Sequence, residues 1–263
     1  EEQGATWAES PKEVAQASEI ILSSLPGPPE VEEVALGPDG IIEGIRPGSV
    51  YIDLSSISPN LARRMYGAFA EKGAHVLDSP VSGGEVGATN RRMVLMVGGD
   101  EAVYERCRPL LEHLGDKVVH TGPIGTGSVC KLVHNSVSAA TRLAVVEGFT
   151  LGVKAGVDPM KMWRAVRWGM FGRNASVHGF DKNLFIGKFD PPSFALKLMS
   201  KDVSLAMQLA RECQVPMSII GLAEQELLEA MARGWGDRDS SAAEVLQEER
   251  AGIQVRIPDF VPE

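Results

Sequence analysis

The chain has 263 residues, 44% hydrophobic and 23% charged, with a formal net charge of −9 and a pI near 5.2. This is ordinary globular composition, long enough for one large or two moderate domains. The acidity argues against nucleic acid or an acidic membrane surface as the main partner, because neither offers positive charge to attract it.

Cys107, Cys130 and Cys213 are scattered, odd in number and free of C-x-x-C spacing. A disulfide framework or zinc site is therefore not expected, and a reducing, intracellular setting fits better. No apolar run is long enough to span a bilayer and no signal-peptide pattern opens the chain, so a cytoplasmic protein is expected.

Taken in order, Ser10-Pro-Lys-Glu-Val-Ala-Gln-Ala reads as an N-cap, a proline at the first helical position and a short helix. Glu19 to Leu25 is a brief apolar run closed by Pro26-Gly-Pro-Pro29, the pattern of a buried parallel strand, and Pro28 to Leu36 suits a helix. The unit repeats, with a strand through Asp53, a polar loop and a helix from Ser58-Pro59 to Lys72. A third strand begins at His75, a fourth runs Met93 to Gly99, a helix covers Asp100 to Leu114, and a fifth strand begins at Lys117. Strands alternating with helices predict a sheet built largely from parallel crossover units.

From Gly125 the texture changes. Val129 to Val153 is one long helical run, and helical patterns follow near Met160–Trp168, Phe194–Cys213, Ser218–Arg233 and Ala242–Arg250, with no convincing strand. The expected fold class is α/β, a Rossmann-type domain over residues 1–124 followed by an all-α domain over 125–263, built on a long interdomain helix.

Lys131 and Asn135 lie four residues apart on that helix, so both can reach one small molecule; two solvated surface residues would show the same spacing. His134 is an acid–base residue by type, but its offset from the Lys131/Asn135 line could equally turn it into the core or a domain seam. In open α/β sheets ligands sit beyond the carboxyl ends of the strands. There Leu25-Pro26 offers apolar surface and Ser56 a hydroxyl, although Ser-Ser before a helix is commonly an N-cap cluster. In the third strand-end loop, Ser82-Gly83-Gly84 can place a hydroxyl and two backbone N–H groups around an anion, while Gly-Gly also marks plain turns. Lys201-Asp202 offers a second lysine, against the ordinary reading of a surface charge pair. Trp163, Trp168, Phe171 and Phe180 read as core and pocket wall, and no metal-ligand cluster has usable spacing. Gly125 to Gly127 reads as a flexible joint ahead of Lys131.

In their order, Leu25-Pro26, Asp53-Leu-Ser-Ser-Ile-Ser-Pro59, Asp78-Ser-Pro-Val-Ser-Gly-Gly84, Met96-Val-Gly-Gly-Asp100, Gly122-Pro-Ile-Gly-Thr-Gly127, Lys131-x-x-x-Asn135 and Lys201-Asp202 resemble the β-hydroxyacid dehydrogenase family. The chain is similar to its 3-hydroxyisobutyrate dehydrogenases and, over Glu33 to Gly87 especially, to its tartronate semialdehyde reductases. The resemblance implies an NAD- or NADP-dependent interconversion of a small carboxylate-bearing β-hydroxyacid with its semialdehyde or ketone. It implies that Lys131 is the catalytic lysine and that Asn135 orients substrate. It makes Ser82, Gly83 and Gly84 the carboxylate loop, Leu25, Pro26 and Ser56 cofactor contacts, and Lys201 a lysine near the nicotinamide end. It also implies a homodimer or homotetramer. The family's opening strand and G-x-G-x-x-G loop are not in this sequence. The expectation is a family member given without its first βαβ unit. A scaffold protein that has lost cofactor binding, and an imine reductase on the same fold, are the alternatives.

Overall fold

The computed structural model describes residues 4–169, 171 and 183–257. The chain divides into two compact units, Glu1–Val133 and His134–Glu263.

The first unit opens with helix α1 (Pro11–Ala17), where the Ser10 hydroxyl accepts from the Glu13 amide. There follow β1 (Ile20–Ser23), α2 (Pro28–Leu36), α3 (Ile41–Gly44), β2 (Val50–Asp53), α4 (Pro59–Ala70), β3 (His75–Asp78), β4 (Val81–Ser82), α5 (Gly84–Thr89), β5 (Val94–Gly98), α6 (Glu101–Leu111) and β6 (Lys117–Gly122). Along the sheet the order is β1-β2-β3-β5-β4, with β6 also on β5. β1, β2 and β3 are parallel, and Ser23, Asp53 and Asp78 are register partners, so the three strands end at one level.

The expectation of a largely parallel sheet holds for β1–β3 and for β5 with β6, while β5 runs antiparallel to β3 and to β4. After β3 the chain turns back through β4 and the six-residue α5 and enters β5 from the other end, where a parallel return would need a full crossover. The segment after Ser79 is thus a short strand and a short helix, where the sequence reads as a loop. Elements of two and six residues carry no periodicity to find.

Neighbouring strand residues point to opposite faces, and both faces are covered. Tyr51 and Val76 pack with Val31, Ala35, Met65 and Phe69 of α2 and α4, and the Tyr51 and Phe69 rings stack 5.3 Å apart. Ile52 and Leu77 pack on the other side with Val103, Tyr104, Cys107 and Leu111 of α6.

Helix α7 (Thr126–Lys154, 29 residues) leads into the second unit, followed by α8 (Pro159–Trp168), α9 (Leu196–Glu212), α10 (Ser218–Ala232), a 3-10 turn (Ser240–Glu244) and α11 (Val245–Ala251). The described residues after β6 hold no strand, only an isolated bridge between Ala195 and Asp239. One core joins Val146 and Phe149 to Trp163, Phe185 and Phe189; another joins Ala139 to Leu196, Val203, Leu227 and Leu246. Trp163 is core as expected, whereas Trp168 and Phe171 are exposed. Phe180, with Met170, Arg173 and Asn174, lies outside the described residues.

Candidate active site

At the carboxyl ends of β1 and β2 the loops are tied to each other. The Ser23 hydroxyl donates to Asp53 Oδ1 at 2.9 Å, the Ser55 amide donates to the same oxygen at 3.1 Å, and the Leu25 amide donates to Ser55 Oγ at 2.9 Å. Ser23 Oγ also lies 2.8 Å from the Tyr51 hydroxyl. Leu25 and Pro26 are therefore held against the loop that carries Ser56, in the crevice position where doubly wound sheets bind ligands. Ser55, whose hydroxyl joins the two loops, is buried, a linking role that the Ser55-Ser56 pair does not reveal in sequence. A hydrogen-bonded pair of loops with an apolar corner fits the ring and ribose of a dinucleotide. The phosphate-cradling G-x-G-x-x-G is not among these 263 residues.

Ser82 closes β4, paired with Val94 of β5. Gly83 and Gly84 then take φ of +147° and +60°, a region that side-chain-bearing residues rarely occupy. A Cβ on Gly83 would also press on the Cα atoms of Gly87 and Met93, both at 3.3 Å.

The start of α7 corrects one expectation. Gly125 to Gly127 is not a flexible joint. The Gly125 amide donates to Asp78 Oδ1 at 2.7 Å, and the amide and hydroxyl of Ser128 donate to Asp78 Oδ2 at 2.7 and 2.8 Å. Gly125, at φ +90°, makes the turn, and Gly127 allows contact, since a Cβ there would collide with the carbonyl oxygens of Met96 and Asp78. Thr126 adds a bond to the Pro123 carbonyl at 2.8 Å. Burial pushes the Asp78 carboxyl above its ordinary value, while the bonds from Ser128 and Gly125 pull it back down. One turn further along stands Lys131, only 8% exposed, which overturns the reading of a solvated surface lysine.

In the second unit Asn135 is 4% exposed and its amide donates to Asp202 Oδ2. Lys201 Nζ stands 3.0 Å from Asp202 Oδ1. The Lys201-Asp202 charge pair is real but not a surface feature, because Asp202 is buried at 1% exposure. Asp202 thus gathers two of the expected site residues, a role the sequence signals only by its place beside Lys201. His134 is exposed, with Nδ1 2.9 Å from Asn135 Oδ1, so it borders Asn135 and does not enter the core.

An open cavity of about 450 Å³ lies at the amino ends of β1 and β2, lined by Glu19, Ile20, Arg46, Ser49 and Arg106, the end of the strands away from these loops. Among the described residues no group of three His, Cys, Asp or Glu could hold a metal, and no helix is long and apolar enough to cross a membrane.

Two family models match: the NAD binding domain of 6-phosphogluconate dehydrogenase over residues 1–122, and the NAD-binding domain of NADP-dependent 3-hydroxyisobutyrate dehydrogenase over residues 125–246. The chain is 35% identical to 2-(hydroxymethyl)glutarate dehydrogenase of Eubacterium barkeri, over 96% of this chain and 84% of that protein. It is 36% identical to 2-hydroxy-3-oxopropionate reductase of Escherichia coli, over 91% and 81%. A solved 3-hydroxyisobutyrate dehydrogenase of Mycobacterium tuberculosis, with L-serine, superposes with a TM-score of 0.80 at 28% identity, covering 91% of this chain and 82% of that one.

Proposed function

The chain belongs to the β-hydroxyacid dehydrogenase family, and from that premise we propose how its residues share the work. The protein is an oxidoreductase that uses NAD or NADP and acts on small carboxylate-bearing hydroxyacids. The pair interconverted is a β-hydroxyacid and its semialdehyde or ketone. The bound nicotinamide nucleotide supplies or takes the hydride. Lys131 handles the proton: its ammonium donates to the substrate oxygen in reduction, and its neutral amine accepts from the hydroxyl in oxidation. Ser82, Gly83 and Gly84 hold the substrate carboxylate. Asn135 orients the substrate, and Asp202 keeps the Asn135 amide turned one way. Leu25, Pro26 and Ser56 contact the cofactor, and Lys201 stands toward its nicotinamide end.

The observation that carries this reading is Lys131 itself, a buried lysine one helical turn before a buried asparagine that is hydrogen-bonded to a buried aspartate. A buried lysine without a task is rare, because burial penalises its charge. The division of domains at 124/125, a homodimer or homotetramer assembled through the helical domain, and a cytoplasmic location complete the proposal.

The test is Lys131→Ala assayed against a panel of small β-hydroxyacids, semialdehydes and cyclic imines with both cofactors. Loss of a positioned acid–base group lowers kcat by about 10²–10⁴-fold. A folded variant with unchanged turnover sinks the assignment, and turnover confined to imines sinks the substrate class.

A further inference from the structure

Asp78 is not one of the groups that the proposed chemistry uses, yet both of its oxygens are spent on the first turn of α7. Oδ1 takes the Gly125 amide at 2.7 Å, and Oδ2 takes both the amide and the hydroxyl of Ser128, at 2.7 and 2.8 Å. The first amides of a helix have no partner within it, and an N-cap from the adjoining residue satisfies one at most. Here the acceptor comes from a strand 47 to 50 residues earlier in the chain. Asp78 is itself fixed in the sheet, as register partner of Asp53 on one side and Gly98 on the other.

The surrounding glycines make the same point by what they leave out. A Cβ on Gly98 would strike the Asp78 carboxylate, and a Cβ on Gly127 would strike the Asp78 and Met96 carbonyls. The helix therefore begins against the sheet with no slack between them.

We propose that Asp78 is a positioning residue for the reaction, setting where Lys131 stands by fixing the first turn of α7. Lys131 follows Ser128 by three residues, less than one turn of 5.4 Å, so a shift or rotation at the clamp reaches it undiminished. Burial of Lys131 removes the freedom with which an exposed lysine would absorb such a shift. The proposal rests on the assignment of Lys131 as the acid–base group.

The experiment compares Asp78→Asn, Ser128→Ala and Lys131→Ala in the enzyme, each assayed well below its own Tm. Asparagine keeps the shape but one acceptor oxygen only, so one α7 amide faces an NH₂ group. The expected result is a kcat lower by about tenfold to a hundredfold in Asp78→Asn, the scale of a small misplacement. A smaller fall is expected in Ser128→Ala, with KM for substrate and cofactor within about threefold of the parent. The pH profile of kcat should also move in both variants, because the ionisation that Lys131→Ala removes is displaced. A purely structural clamp lowers Tm and leaves kcat and its pH profile unchanged; that result overturns the proposal alone. If Asp78→Asn does not fold, Ser128→Ala decides on the same two readouts. Full turnover in Lys131→Ala overturns the lysine assignment and this proposal with it.

Discussion

Asp78 in the first unit and Glu244 in the second are both buried acids, and burial pushes both carboxyls upward, yet they are stabilised by different means. Asp78 meets two backbone amides and a hydroxyl. Glu244 meets a cation, with Arg142 Nη2 2.7 Å from its Oε1, and it feels two more acids, Asp239 and Glu248. Burial is the main cause that brings Glu244 to about 7; Arg142 pulls it down, and Asp239 and Glu248 push it further up. Neutral donors fix a direction and a distance without requiring a counter-charge, whereas an ion pair is worth what its protonation state allows. The Asp78 clamp therefore depends first on geometry, and the Arg142–Glu244 pair first on protonation.

The largest effect should come from Arg142→Met. Removing one partner of a buried pair leaves the other charge uncompensated, at a cost of about 3–5 kcal/mol. Its pH dependence follows from Glu244, whose folded-state value of about 7 lies above its ordinary 4.5. The folded chain binds this proton more tightly than the unfolded one, so the group's contribution to stability is full below 4.5 and lost as pH rises through about 7. Denaturation of Arg142→Met should accordingly show its full deficit at pH 8 and a much smaller one near pH 5. An equal deficit at both would show that Arg142 acts by packing alone.

Next comes Gly127→Ala, which tests the geometric side. The added methyl must displace both the Met96 and the Asp78 carbonyls, and overpacking of this kind costs about 1–3 kcal/mol. The methyl itself carries no charge, so its deficit should vary less between pH 5 and 8 than that of Arg142→Met. A deficit that varies with pH as strongly would erase the contrast between the two acids.

Several helices of this chain are legible in its sequence because proline, often after serine, marks where they start. Ser10-Pro11 and Ser58-Pro59 are where α1 and α4 begin, with both serine hydroxyls accepting the expected amides. Lys131 and Asn135 are legible by spacing. Asp78 and Asp202 are harder to find, because each acts through partners 47 to 67 residues away, a distance that no local pattern spans. Reading Gly125 to Gly127 as a joint fails for the same reason. Glycine permits motion and also permits close approach, and only the identity of the neighbour, here the Met96 and Asp78 carbonyls, decides between them.

The smallest effect tests whether donors of the Asp78 kind behave alike in the second unit. Asp239 accepts from the Ser193 amide and hydroxyl and from the Ser241 amide and hydroxyl. Burial would raise its carboxyl, but the bonds from Ser241 and Ser193 outweigh that and hold it below the ordinary 3.8. The sign is the reverse of Glu244: stability from Asp239 is present above 3.8 and lost as pH falls through its lowered value. Ser193→Ala removes one donor and should cost about 0.5–1.5 kcal/mol at neutral pH. The removed donor favoured the charged form, so the gap to the parent should narrow as the medium is acidified through the Asp239 titration. Arg142→Met also narrows its gap on acidification, but near neutrality, where Glu244 takes its proton. Urea titrations of the two variants at a series of pH values separate these windows, and a Ser193→Ala gap that closes near neutrality would mean that Asp239 and Glu244 titrate as one cluster.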